Sequence, residues 1–215
     1  MRILLFDMTH PVSDLTAEES EFVYAVKLSG KTGGQAALYQ YIKGESPKVL
    51  TTFEINDAGE SLTSWLQENQ FEFDVVINNL EQINGTKLSE TSVEEWNESL
   101  YINLHVPFML MQAVTPFIKD GGQFIHLSST AAVSGENADV SYAAQKSALE
   151  SLSKSLSRQL LSRNIRSNVI SVSQKYFHEA ADIKQVSGLI IQMCSVPVSF
   201  LNGQVITLDN GETLS

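Results

Sequence analysis

Residues 73–79 read FDVVINN: a buried-type strand with no polar alternation, followed by two asparagines. A strand that is wet on one face alternates apolar and polar residues. A run without alternation belongs in a sheet covered on both faces, as parallel sheets are. Working outward, strand-like runs recur at RILLFD (2–7), FVYAVKL (22–28), KVLTTFEI (48–55), GGQFIHLSS (121–129), IRSNVISVS (165–173) and GQVITLDNG (203–211). Helical stretches lie between them. These are GGQAALYQYIKG (33–44), SLTSWLQENQ (61–70), a long segment from about Val93 to Lys119 with Pro107 inside it, SYAAQKSALESLSKSLSRQLLSR (141–163) and ADIKQVSGLIIQMCS (181–195). Proline in a helix removes a backbone donor, so Pro107 predicts a kink. The helix at 141–163 carries apolar residues at Ala144, Ala148, Leu152, Leu156 and Leu160. Alternating strands and helices with short connections predict an α/β fold with a mostly parallel sheet, and one domain over 1–215. Ligands in such folds sit beyond the carboxyl ends of the strands.

The 215 residues include 43% hydrophobic and 18% charged side chains, with a net charge of −11. That charge argues against nucleic acid or an anionic membrane as the main partner, since both need a basic face. No apolar run reaches the length of a membrane span. MRILLFDMTH lacks the longer apolar segment of a signal peptide and reads as a first strand. The single cysteine, Cys194, excludes an internal disulfide, suits a reducing cytoplasm and reads as a small buried hydrophobe. His10, His105, His126 and His178 have no metal-ligand spacing, so no metal site is expected, and His126 reads as a core residue.

Four polar residues stand out beside the strand ends. Asn103 lies within the long helix, Ser129 ends GGQFIHLSS, and Tyr142 and Lys146 open the helix at 141–163. Four residues is just over one helical turn, so Tyr142 and Lys146 share a face. Together with FDVVINN and LNGQVITLDNG, these spacings resemble the short-chain dehydrogenase/reductase family, most of all its 3-oxoacyl-carrier-protein reductases. The resemblance covers about Lys48 to Asn168 and Leu201 to Gly211. It implies a Rossmann-like, doubly wound parallel sheet of seven strands in a three-layer sandwich. It also implies hydride transfer between NADP or NAD and a small-molecule carbonyl or alcohol. Reducing a ketone leaves an alkoxide that needs a proton. A phenol can supply it if a nearby ammonium favours the phenolate. The resemblance thus makes Tyr142 the proton donor, Lys146 its tuner and a ligand of the nicotinamide ribose, Ser129 the group that fixes the carbonyl, and Asn103 the holder of a relay water. It further implies oligomers, a homodimer or homotetramer or a hetero-oligomer with another family member, built through helices around 94–119 and 141–163. The Leu152/Leu156/Leu160 stripe permits this and could equally be core packing.

The pattern breaks at the cofactor. The family's glycine-rich turn, TGxxxGxG, lets backbone approach a pyrophosphate. Here the first strand is followed by DMTHPVSDLTAEES, with no glycine, with negative charge added by Asp7 and Asp14, and with Pro11. Thr9 and Ser13 are the donors left there. SGKTGGQA (29–36) has glycines, but a phosphate loop needs glycine five residues before Gly30, where Ala25 stands. The family's NNAG reads Asn78-Asn79-Leu80-Glu81, with larger residues where the family leaves room for cofactor. The second strand ends without an acidic residue and near Lys27 and Lys31, which favours NADP over NAD. Glu54 and Ile55 match the family's adenine-side Asp-Val. Cofactor contacts are therefore expected from Thr9, Lys27, Glu54, Ile55, Asn78 and Lys146. Two readings of function remain: a reductase or dehydrogenase with an unusual cofactor site, favoured by the retained tetrad, and a non-catalytic binding or assembly subunit.

Overall fold

The computed structural model describes residues 1–7, 22–29, 34–41, 46–136, 138–173, 175, 180–195 and 200–214. Eight strands form one sheet, β1 (Arg2–Asp7), β2 (Phe22–Ser29), β3 (Gln35–Tyr41), β4 (Lys48–Glu54), β5 (Phe73–Asn79), β6 (Ile118–Ser129), β7 (Arg166–Val172) and β8 (Val205–Leu208). Their order is β4-β3-β2-β1-β5-β6-β7-β8. The central strands β1, β5 and β6 pair in parallel, as the apolar runs predict. The sheet reverses its winding between β1 and β5, which places a ligand crevice beyond their carboxyl ends.

The expected seven strands are eight because GGQAALYQYIKG is not a helix. Its residues Gln35–Tyr41 form β3, antiparallel to β2 and to β4. Ala36 and Leu38 enter the core on one face, while Tyr39 and Tyr41 pair their rings on the other, 6.2 Å apart. That is strand alternation, and register with β2 overrides the helix propensity of Ala, Leu and Gln. Two reversals leave β4 parallel to β1, so Glu54 still points its strand end to the ligand edge. β4 now lies three inter-strand spacings from β1, roughly 14 Å.

The helices are α1 (Ala58–Glu68), α2 (Val93–Leu100), α3 (Val106–Val114), the single turn α4 (Ala131–Ser134), α5 (Val140–Gln159) and α6 (Ala180–Ser195). One core cluster packs Leu62 and Leu66 of α1, Leu110 and Val114 of α3 and Leu149 of α5 against Leu4, Val76 and Phe124 of the sheet. A second, on the opposite face, packs Val186, Ile190 and Met193 of α6 against Leu5, Ile77 and Ile125. The sheet is thus covered on both faces, and the three-layer arrangement holds.

The segment 93–119 is not one helix: α2, a π turn, α3 and a 3-10 turn at Thr115–Phe117 follow one another, and Ile118 and Lys119 already belong to β6. A π turn at Tyr101–His105 separates α2 from α3, and Val106 N–H reaches back five residues to Tyr101 O. The cause is Pro107, which has no N–H for the Asn103 carbonyl four residues earlier. α5 also docks differently from its apolar stripe. Ala144 is exposed and Leu152, Leu156 and Leu160 are half-buried. Toward the sheet, α5 presents Lys146, Glu150 and Ser153, all buried. Glu150 accepts from Ser128 Oγ at 2.9 Å, and Ser153 Oγ meets Ser167 Oγ at 2.8 Å. No helix among the described residues is long and apolar enough to cross a membrane.

Candidate active site

Tyr142 and Lys146 lie in the first two turns of α5, which starts where it does because Asp139 caps it. Asp139 Oδ1 accepts Tyr142 N–H at 3.0 Å and Ser141 O–H at 2.6 Å. Its Oδ2 accepts the N–H groups of Asn84 at 2.9 Å and Gly85 at 3.1 Å. Burial opposes the charge, but these hydrogen bonds from Ser141, Tyr142, Asn84 and Gly85 outweigh it and hold the carboxyl below its ordinary range. Asp139 was not among the residues expected at the site. Its sequence signal is an acidic residue directly before a helix.

Both members of the pair are buried, Tyr142 at 0% and Lys146 at 1% exposure. Lys146 Nζ lies 5.5 Å from the Tyr142 ring centroid. Its charge is met by Leu127 O at 3.3 Å, Leu80 O at 3.4 Å and Glu81 Oε2 at 3.4 Å. The same Glu81 oxygen accepts the Tyr142 hydroxyl at 2.8 Å. The structure therefore brings Tyr142 and Lys146 together and adds Glu81 to them.

Asn103 is fully buried beside this pair. Its Oδ1 accepts Gln82 N–H at 2.7 Å, and its Nδ2 donates to Gln82 O at 2.8 Å and Gln145 Oε1 at 2.7 Å. Ser99 donates to the same Gln145 oxygen at 2.7 Å. The Asn103 side chain is thus committed to holding the loop after β5 against α2 and α5. Its backbone carbonyl receives no N–H from Pro107, four residues on. Ser129, at the end of β6, is buried and accepts Ala131 N–H at 3.2 Å through Oγ. That is a turn-capping contact, and it leaves the hydroxyl proton to donate. A cleft of about 530 Å³ opens nearby, lined by Thr130, Ser134, Glu136, Ala143, Ser173 and Glu212.

The expected cofactor contacts are spread more widely. Asn78 is fully buried at the end of β5; its Oδ1 accepts Leu80 N–H at 3.4 Å and its Nδ2 meets no acceptor. Glu54 is exposed at the end of β4. Ile55 has its side chain in the core and its N–H on Gly34 O at 2.9 Å, so it is packing rather than lining. Lys27 is half-buried with Nζ 5.5 Å from the Tyr41 ring centroid. Asp7, at the end of β1, is buried and accepts Asn79 Nδ2 at 3.2 Å, which puts a carboxyl at the crevice itself. Thr9, Ser13 and Lys31 lie outside the described residues. No cluster of metal-ligating side chains occurs among the described residues. His126 is a core residue: its Nε2 meets Ser167 Oγ at 3.2 Å and its ring stacks 5.9 Å from Phe124.

Residues 53–174, more than half of the chain, match the family described as enoyl-(acyl carrier protein) reductase. The chain belongs to the short-chain dehydrogenase/reductase family. Among curated family members, the 3-oxoacyl-[acyl-carrier-protein] reductase of Thermotoga maritima is 25% identical over 160 residues, 64% of this chain and 65% of that one. A solved short-chain dehydrogenase/reductase from Serratia marcescens superposes with a TM-score of 0.73 at 18% identity, covering 98% of this chain and 96% of that one. A 4-hydroxyisoleucine dehydrogenase solved with NADH and succinate superposes with a TM-score of 0.66 at 24% identity, covering 74% and 78%. At these identities the two solved structures speak for the fold. The chain spans 60 to 65% of the length of the first curated relatives it matches.

Lys146 and the free Nδ2 of Asn78 offer buried donors at the crevice, as a dinucleotide needs. Glu81 stands against it on Tyr142 and Lys146. Its side chain is 42% exposed, so it has room to turn away without moving the fold.

Proposed function

We propose that this family member is an NAD(P)-linked oxidoreductase that interconverts a small carbonyl compound and its alcohol. The observation that carries this is the buried Tyr142–Lys146 pair, one turn apart on α5 and set at the carboxyl ends of β5 and β6. A bound dinucleotide would supply or accept the hydride. Tyr142 gives its proton to the oxygen that becomes an alkoxide. Lys146, 5.5 Å from the ring, favours the phenolate that remains. Ser129 donates its hydroxyl proton to the substrate oxygen and fixes its position. Asn103 keeps the loop after β5 in place and offers its backbone carbonyl to a water. In this reading Asn78 and Lys146 hold the nicotinamide side, Glu54 serves the adenine side beside Ile55, and Thr9 is a further contact. Lys27 near the end of β2 favours NADP over NAD.

Self-association is part of the reading. α3 and α5 frame an apolar groove lined by Phe108, Met111, Leu152, Leu156 and Leu160, with Phe108 47% exposed. It supports a homodimer or homotetramer, or pairing with another family member. The single thiol fits a reducing, cytoplasmic setting.

The test is turnover of NADPH and NADH against a panel of ketones and aldehydes. Tyr142→Phe should lower kcat by about a hundredfold or more. Turnover that survives Tyr142→Phe contradicts the assigned role. No turnover, together with no binding of either cofactor at millimolar concentration, contradicts the enzyme reading as a whole.

A further inference from the structure

One oxygen atom, Glu81 Oε2, touches both reactive groups of the site, the Tyr142 hydroxyl at 2.8 Å and Lys146 Nζ at 3.4 Å. The proposed reaction, on which this inference rests, asks the same two groups for other partners: a substrate oxygen on Tyr142 and a ribose hydroxyl on Lys146. Glu81 already supplies an oxygen acceptor to each. It does so intramolecularly and with a charge opposite to that of Lys146.

The loop around Glu81 is held on both sides. Leu80 is fully buried in the core, and the backbone N–H and C=O of Gln82 are both bonded to Asn103. The backbone is therefore fixed, and the side chain alone can exchange between the buried pair and water. Its partners are buried while it is 42% exposed, so the route out is open.

We propose that Glu81 is an internal ligand of Tyr142 and Lys146 that sets the chain's dinucleotide affinity. The ribose reaches Lys146 only when the carboxylate turns out to solvent. A ligand that binds only the open conformer has its apparent Kd raised by the inverse of the open fraction. If the seated conformer outweighs the open one hundredfold, affinity falls about a hundredfold.

The experiment is calorimetric titration of NADPH and NADH into wild type, Glu81→Ala and Glu81→Gly. It is paired with ¹³C NMR of ring-labelled tyrosine, Tyr142 being assigned by its loss in Tyr142→Phe. Removing the carboxylate should tighten NADPH binding by about tenfold or more. It should also lower the pH at which Tyr142 titrates, because a carboxylate beside a phenol disfavours the phenolate. Glu81→Ala keeps an ordinary backbone restraint at this position, so a folding failure in the glycine variant alone does not decide the matter. Cofactor binding as tight in wild type as in both variants overturns this proposal and leaves the oxidoreductase reading standing. An unmoved Tyr142 titration also overturns it. No binding by any of the three proteins at millimolar cofactor overturns the dinucleotide reading and this proposal with it.

Discussion

Asp139 and Tyr142 are joined by a 3.0 Å hydrogen bond from the Tyr142 backbone to Asp139 Oδ1, while the other oxygen of Asp139 holds Asn84 and Gly85. One carboxylate therefore ties the helix that carries the phenol to the loop that carries Glu81. Asp139→Ala removes a helix cap and two loop anchors together. It should cost about 1–2 kcal/mol in urea unfolding. Activity should fall with it. Asp139 has its folded pKa held below the unfolded value of 3.8, so its contribution is complete above that pH and is lost as pH falls through the folded value. Full stability at neutral pH in Asp139→Ala would show that the loop is held otherwise.

His126 predicts an acid-side slope in stability. Burial first, and the nearby Lys146 charge second, push its pKa from 6.5 down to about 3. Between these values the unfolded chain binds a proton that the folded chain does not. Stability therefore rises with pH across that window and falls on acidification. The slope is about 1.4 kcal/mol per pH unit from this one group. Between pH 6.5 and about 5 the loss is roughly 2 kcal/mol. Urea titrations at several pH values should show the slope reduced by about one proton in His126→Asn.

Cys194 should be a slow thiol. Burial pushes its pKa up to about 12, against a smaller opposing effect of Arg166. Thiolate is the reactive form, so labelling by a disulfide reagent at pH 8 should be much slower in the folded protein than in urea. Equal rates would place the thiol in solvent.

Phe108 tests the α3–α5 groove. It is large, apolar and 47% exposed on the face lined by Leu152, Leu156 and Leu160. Sedimentation should show a smaller particle for Phe108→Glu than for wild type. Identical masses above the monomer would move the interface elsewhere.

Much of this architecture is legible in the sequence because the central strands are buried on both faces. FDVVINN and QFIHLSS could hardly sit elsewhere, and Tyr142, Lys146, Ser129 and Asn103 fall at their ends. What is not legible depends on partners distant in sequence. QAALYQY has helix-forming residues, and only pairing with β2 makes it a strand. The glycines of SGKTGG between two β-prone runs were the available hairpin signal. Leu152, Leu156 and Leu160 of the apolar stripe reach only the edge of the core, half-buried, because a polar seam of Ser128, Glu150, Ser153 and Ser167 takes much of the inner face. Glu81 stands out in sequence as a bulky residue in NNLE. Its contact with Tyr142, 61 residues later, needs the fold to be seen.

The most direct measurement of the central claim uses NADPH carrying deuterium at the transferable position of C4. The wild-type protein and Tyr142→Phe are incubated with it and a panel of carbonyl compounds, and the alcohols are read by mass spectrometry. An alcohol with one deuterium, formed by wild type and lost with Tyr142→Phe, is the predicted result. Deuterated alcohol formed equally by both proteins, or by neither above the protein-free background, would contradict the account.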